Sequence, residues 1–151
     1  MSKFLQLAFF PFSANAGLLL LRLWFGLSML VLHGIPKLVN FSTYAQAFVD
    51  FLGIGPAASL VLAIVGEVGC ALLLVAGLFT RLAALGAAIT MAVAFFMAHG
   101  GALSGDNSGE MAFLYLGAYL VLYVTGAGRY AIDAYLHPKP EALDGMYQPR
   151  P

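Results

Sequence analysis

Charged side chains are scarce in this chain. Seven Lys or Arg and seven Asp or Glu make up 9% of its 151 residues, against about 25% in an ordinary soluble domain. Hydrophobic residues account for 62%, and the mean hydropathy is +0.90. Because so few polar residues cannot cover a water-exposed surface, the composition excludes a soluble globular domain and a disordered chain. The formal net charge is zero and no basic run is present, so no nucleic-acid partner is expected.

Cysteine is almost absent as well. The single Cys70 excludes an intramolecular disulfide, a CxxC redox pair and a disulfide-stapled secreted domain. The chain also has no recognisable Ser/His/Asp triad, phosphate loop or dinucleotide-binding fingerprint, and so no catalytic residue is assigned from the sequence. What remains is a membrane protein of one compact unit, surrounded by the lipid bilayer.

Four apolar stretches are long enough to cross a bilayer, for which about 20 residues are needed. They cover about 16–33, 56–79, 81–98 and 110–125. In the connection at 34–55, residues 43–46 fit a capping box and are followed by apolar residues at helical spacing, which predicts a short interfacial helix on the outer face. The predicted fold is therefore all-α: a four-helix transmembrane bundle in one membrane domain, residues 1–135, with a Pro-rich cytoplasmic tail at 136–151.

The positive charges are divided unevenly between the two sides of this predicted bundle. The outer loops carry only Lys37, whereas the inner side carries Lys3, Arg81, Arg129, Lys139 and Arg150. If the protein resides in a bacterial inner membrane, as we expect, the positive-inside rule then predicts that both termini are cytoplasmic. Residues 1–12 are interpreted either as an interfacial segment or as a short signal peptide before the A-x-A pattern at 14–16.

Two charges fall inside the predicted spans, where each calls for a partner or a function. Arg22 lies 11 residues before His33, and Glu67 lies 11 residues after Pro56. At about 1.5 Å per residue, both lie about 16 Å below the outer boundary of antiparallel neighbours. This matched depth predicts a contact between Arg22 and Glu67 in the bundle interior. The pair is either a structural ion pair that fixes helix register or a polar anchor for a ligand.

More polar residues gather toward the predicted outer face. His33 and Lys37 continue the helical stripe of Arg22, His99 closes the third span, and Glu110 begins the fourth. Three interpretations stay open: a hydrated interface, a proton-exchanging or ligand-binding mouth, and a metal site of His33, His99 and Glu110. The two His residues show no metal-motif spacing, so no metal is predicted. The candidate ligand-binding residues are Arg22, His33, Lys37, Glu67, His99 and Glu110.

Three further features have a structural and a functional interpretation. Tyr115, Tyr119 and Tyr123 repeat every four residues and either line a cavity for an aromatic ligand or pack with their hydroxyls on carbonyls. Gly26, within the polar stripe, allows either close helix contact or room for a ligand, and close contact is the commoner use. Cys70 is interpreted as a small apolar residue.

The order of these motifs resembles the DoxX family. Residues 33–37, H-G-I-P-K, are similar to the HGxxK element that closes the first helix of that family, and Arg22 matches its first-helix Arg. Residues 67–70, followed by the G-L-F-T-R turn at 77–81, resemble its second-helix pattern. Glu110 and the segment 126–133 resemble its fourth helix and exit. The similarity covers about residues 16–135, and Cys70 stands where a glycine is common.

The resemblance implies a small four-helix integral membrane protein. Some family members resemble a subunit of a thiosulfate:quinone oxidoreductase or a terminal quinol oxidase, and others are associated with membrane redox and oxidative-stress systems. The main functional hypothesis is therefore a redox-associated subunit that binds quinone or another lipophilic ligand at an intramembrane Arg/Glu/His site. Arg22 or His33 would donate a hydrogen bond to a quinone carbonyl, and Glu67 would hold Arg22.

The chain has no evident electron carrier, so any redox chemistry needs a partner protein or a bound cofactor. We therefore expect a non-catalytic subunit or a component of a membrane oxidoreductase complex rather than a stand-alone enzyme. Two alternatives stay open: a small transporter or proton-conducting protein, and a structural or assembly module whose charges only set helix register. Gly17 and Gly117 lie on small-residue faces that support either a homo-oligomer or internal packing.

Overall fold

The computed structural model describes residues 13–136, and every regular element in this range is a helix. The all-α prediction is confirmed. The helices are α1, Ala14–Val39; α2, Phe41–Ala47; α3, Pro56–Ala76; α4, Thr80–Ala98; α5, Glu110–Thr125; and α6, Ile132–Leu136. The predictions for residues 1–12 and for the Pro-rich tail beyond Leu136 lie outside the described residues.

Three of these helices, α1, α3 and α4, are long and apolar enough to cross a membrane. Helix α5 is a shorter apolar helix of 16 residues, about 24 Å long at 1.5 Å per residue. Large apolar side chains point outward around the described helices, with Trp24 69% exposed and Val124 72% exposed. Such an outer surface suits lipid and not water as the surrounding solvent.

The first helix is longer than the sequence predicts, and this moves the elements that follow. We expected a span ending at about residue 33, but α1 continues to Val39. The next helix begins at Phe41 and has Asn40 as its N-cap, whose carbonyl accepts from the backbone N–H groups of Thr43 and Tyr44. The predicted capping box at 43–46 is therefore wrong, although a short helix does occupy the connection.

Small residues allow the long helices to approach each other closely. A Cβ at Gly26 would lie 2.8 Å from Val75 Cγ2, and one at Gly34 would lie 2.9 Å from the carbonyl oxygen of Glu67. Between α3 and α4, a Cβ at Gly66 would overlap the side chain of Thr90. The interpretation of Gly26 as a site of close helix contact is thus confirmed, and these contacts fix the register of α1 against α3.

Each of the three long helices contains one π-helical segment. These segments are Leu30–Gly34 in α1, Val65–Cys70 in α3 and Ala94–Ala98 in α4. A π turn adds a residue to the helical repeat, changes the direction of the side chains after it, and is frequent at functional sites. The first segment contains His33, the second contains Glu67, and the third is followed directly by His99.

Candidate ligand-binding cavity

The charged centre of the molecule is an ion pair between Lys37 and Glu67. The Nζ of Lys37 lies 2.9 Å from Oε1 and 2.7 Å from Oε2 of Glu67. The Glu67 residue is only 5% exposed, so its carboxylate depends on this lysine for its countercharge. The π-helical segment Val65–Cys70 carries Glu67 inward, and the π-helical turn in α1 precedes Lys37.

The predicted contact between Arg22 and Glu67 is wrong. Arg22 is fully buried, and its guanidinium donates to the carbonyl oxygens of Leu74, at 3.3 Å, and of Tyr130. The depth argument failed because α1 does not end near residue 33. The close contact of Gly26 with Val75 aligns Arg22 with the last turn of α3 and places Glu67 beside the later part of α1.

Arg22 belongs to a second polar cluster at the opposite end of the helices, which we call the Arg22 end. Asp133 accepts from the backbone N–H groups of Phe79 and Thr80, both at 2.8 Å, and so caps the start of α4. Its own N–H donates to the carbonyl of Gly77 at 2.9 Å, and its charge attracts Arg22. This arrangement caps the start of α4 and gives two of the three guanidinium nitrogens of Arg22 internal partners, while Nε is buried without one among the described residues. We therefore interpret these contacts of Arg22 as structural.

A cavity of about 440 Å³ lies beside the Lys37–Glu67 pair, between α3 and α4. Pockets of this volume accommodate small organic molecules. Its walls are mainly apolar. Its polar lining residues are Lys37, Ser59, Glu67, Cys70, Thr90 and His99.

The cavity reaches both the connection after α2 and the lipid-facing surface. Phe48 and Phe51 line it from the connection, and the backbone N–H of Phe51 donates to Ser59 Oγ at 2.8 Å, which ties this segment to α3. Val65 and Ile89 also line it, yet they are 56% and 55% exposed on the outside of α3 and α4. An apolar molecule in the bilayer can therefore meet the cavity from the side.

The six candidate ligand-binding residues divide into two groups. Lys37, Glu67 and His99 meet at the cavity, whereas Arg22, His33 and Glu110 do not line it. His33 is half-buried, with its ring at 85° to that of Tyr115 and 5.6 Å between centroids, and it interacts electrostatically with Lys37 and Glu67. Glu110 is exposed at the start of α5. Within residues 13–136, no three His, Cys, Asp or Glu side chains could hold a metal ion.

Two tyrosines of the α5 stripe, Tyr115 and Tyr119, pack in the interior and away from this cavity. Tyr115 donates to Ser28 Oγ at 2.8 Å, and Tyr119 donates to the carbonyl of Phe25 at 3.3 Å. Tyr123 points outward and is 42% exposed. The packing interpretation is therefore favoured over a tyrosine-lined ligand cavity.

The sequence did not single out two hydroxyl groups of the cavity, those of Ser59 and Thr90. Both are single polar residues within apolar helices, and both donate to the carbonyl four residues earlier. Because a Ser or Thr that bonds to its own helix backbone needs no other partner, the presence of such a residue in an apolar helix does not indicate a site. The sequence feature that could have indicated the position of Thr90 is Gly66, since a glycine on α3 lets the side chain of Thr90 on α4 come close.

Comparison with known proteins identifies the family of the chain. The inner membrane protein YphA of Escherichia coli K12 is 30% identical over 135 residues, which cover 84% of this chain and 96% of that protein. An uncharacterized protein of Haemophilus influenzae is 33% identical over 115 residues, 70% of this chain and 80% of that protein. No solved structure matches the chain significantly. The family model that matches is DoxX, over residues 17–100, a segment that includes Lys37, Glu67 and His99. This integral membrane protein therefore belongs to the DoxX family.

Proposed function

We propose that the chain is a four-span inner-membrane protein with both termini in the cytoplasm and α5 as its fourth crossing. Arg81 and Arg129 lie toward the Arg22 end, where the positive-inside rule then places the cytoplasm. Lys37 lies at the opposite end, so the cavity belongs to the outer half of the membrane. The name of the Escherichia coli relative, an inner membrane protein, supports the same location.

We propose further that the cavity binds a lipophilic ligand with a polar head group, of which quinone is an example. The observation that carries this proposal is a largely apolar cavity of about 440 Å³ with the Lys37–Glu67 pair in its wall. Apolar walls with a few well-placed polar groups are the usual composition of a small-molecule site. Lys37, Glu67 and His99 are the ligand-binding residues in this proposal.

The proposed role is a redox-associated subunit whose ligand is oxidised or reduced by a partner protein. The polar residues of the cavity hold and orient a head group, while the partner supplies the electron transfer. A purely structural module predicts that Arg22 and Glu67 pair closely and leave no cavity beside them. Their separation, and the cavity next to Glu67, favour the ligand-binding proposal.

The proposal is tested by titrating the purified protein, in detergent or nanodiscs, with a decyl-substituted benzoquinone in its oxidised and reduced forms. Val93 lines the cavity, so Val93→Phe fills part of it and should weaken binding at least tenfold. Val124 is 72% exposed on α5 and does not line the cavity, so Val124→Phe is the matched control and should bind as the wild type does. Absence of saturable binding of both forms, or an equal loss in the two variants, contradicts the proposal.

A further inference from the structure

The side-chain hydrogen-bonding groups of the cavity wall are strongly biased toward acceptors. Six polar residues line it, and most of their protons are already committed to other atoms of the protein. A ligand that enters must replace the hydrogen bonds that water makes to these groups. The remaining donors and acceptors therefore indicate which head group the cavity favours, given that it binds a lipophilic ligand as proposed above.

The ion pair leaves more acceptor than donor capacity. The Lys37 ammonium has three protons, and two directions are used by Oε1 and Oε2 of Glu67 at 2.9 and 2.7 Å. One proton remains. The ionised carboxylate of Glu67 has about four lone-pair positions and no donor, so about two positions remain, and they accept only.

Each of the two hydroxyl groups already donates its single proton to a backbone carbonyl. Thr90 Oγ donates to the carbonyl of Gly86 at 3.0 Å, and Ser59 Oγ donates to the carbonyl of Gly55 at 2.8 Å. A hydroxyl has one proton and two lone pairs. Toward the cavity, both groups can therefore only accept, although one lone pair of Ser59 already takes the N–H of Phe51.

The imidazole of His99 follows the same pattern. Its Nδ1 lies 3.3 Å from the backbone carbonyl oxygen and 3.2 Å from the side-chain oxygen of Asn107. A carbonyl oxygen accepts and never donates, so Nδ1 carries the proton of the neutral ring. The other nitrogen, Nε2, is then an acceptor. Besides the last proton of Lys37, only the weakly donating thiol of Cys70 remains among the polar residues of the wall.

We infer that the cavity selects neutral lipophilic ligands whose head group donates hydrogen bonds, such as phenols and hydroquinones, over ligands that only accept, so that of a quinone couple it binds the reduced form more tightly than the oxidised form. A hydroxyl donates to Glu67 and accepts from Lys37, so both partners stay satisfied. A ligand with only a carbonyl or ether oxygen would displace the water that donates hydrogen bonds to Glu67 and Thr90. Because such an oxygen has no proton to donate, these buried acceptors would be left unsatisfied. The neutral ion pair gives a charged head group no countercharge, so the ligand itself is neutral.

A matched ligand pair tests this inference directly. We would titrate the protein with 4-heptylphenol and with 4-heptylanisole, which share ring and tail but differ by O–H against O–CH₃. The phenol should bind at least tenfold more tightly, because a hydrogen bond to a charged group is worth at least that factor. Equal binding, or tighter binding of the anisole, overturns the inference. If both ligands bind with equal affinity and Val93→Phe removes both, the proposed cavity stands while the donor selectivity falls; if neither binds, both fail.

Two variants locate the selectivity in the cavity. Thr90→Val removes one acceptor without changing side-chain shape and should lower the phenol-to-anisole ratio about threefold or more. Thr125→Val is its control, since Thr125 is exposed on α5 and donates to Val121 in the same way, and it should leave the ratio unchanged. Glu67→Gln adds a donor to the wall and should lower the ratio further. An unchanged ratio in both cavity variants overturns the inference, and Thr90→Val suffices if Glu67→Gln does not fold.

Discussion

Removing one partner of the Lys37–Glu67 pair should destabilise the protein far more than removing both. At about 2.8 Å and an effective dielectric of about 20, the direct attraction is about 6 kcal/mol, most of it offset by the desolvation of two charges. In Lys37→Met, Glu67 keeps its desolvation cost without its partner, since its side chain is 6% exposed. Loss of one partner of a buried pair costs about 3–5 kcal/mol. We expect about 3 kcal/mol, because the cavity admits water and Lys37 is 18% exposed.

The double variant Lys37→Met, Glu67→Met removes both charges, and its free energy of unfolding should lie within about 1 kcal/mol of that of the wild type. The measurement is the free energy of unfolding in mixed detergent micelles containing SDS, followed by far-ultraviolet circular dichroism. The two single variants and the double variant form a thermodynamic cycle, and we expect a coupling of at least about 2 kcal/mol. If both single variants lose less than about 1 kcal/mol and their effects add, the pair is solvated and the reasoning is refuted.

Two glycine substitutions test the close contacts. Gly77→Ala should lower the thermal midpoint strongly, because its Cβ would overlap the guanidinium of Arg22 and because φ is +70° at this residue. Gly100→Ala is the control: φ is positive there too, at +61°, but the space around it is open, so the substitution should cost only about 1 kcal/mol of backbone strain. Equal losses in the two variants would show that the overlap is relieved cheaply. Gly66→Ala should destabilise through overlap with the side chain of Thr90. Adding Thr90→Ala removes Oγ1 and Cγ2 but keeps Cβ, which would lie 2.8 Å from the new Cβ, so it should recover part of the loss in the same melting experiment; no recovery would contradict the assigned contact.

The sequence predicted the helices better than their register. Long apolar runs bounded by Pro56 and by the turn at 77–79 mark α3, and the structure places its ends within three residues of the prediction. The end of α1 was missed because His33, Gly34 and Pro36, a polar residue followed by two helix-breaking ones, suggest that the helix ends there. A Pro near the start of a turn is compatible with continuing helix when the preceding segment is π-helical and its hydrogen bonds are already shifted.

Half of the candidate site could be predicted from residue type and depth alone. Lys37, Glu67 and His99 are polar residues toward one end of long apolar helices, and the cavity brings them together. The predicted contact between Arg22 and Glu67 was wrong because an error of a few residues at one helix end shifts every antiparallel partner by several ångströms. The sequence could not indicate the π turns either, since a period of 3.6 residues places side chains as if the helix were regular.

The cluster at the Arg22 end also sets an order for biosynthesis. Arg22 is made early, whereas the carbonyl of Tyr130 and the carboxylate of Asp133 leave the ribosome more than 100 residues later. Throughout insertion of α1, α3 and α4, this arginine lacks two of its final partners. The last described segment therefore completes the polar contacts of the membrane unit: a chain truncated before residue 126 would retain an incompletely paired cation among apolar helices.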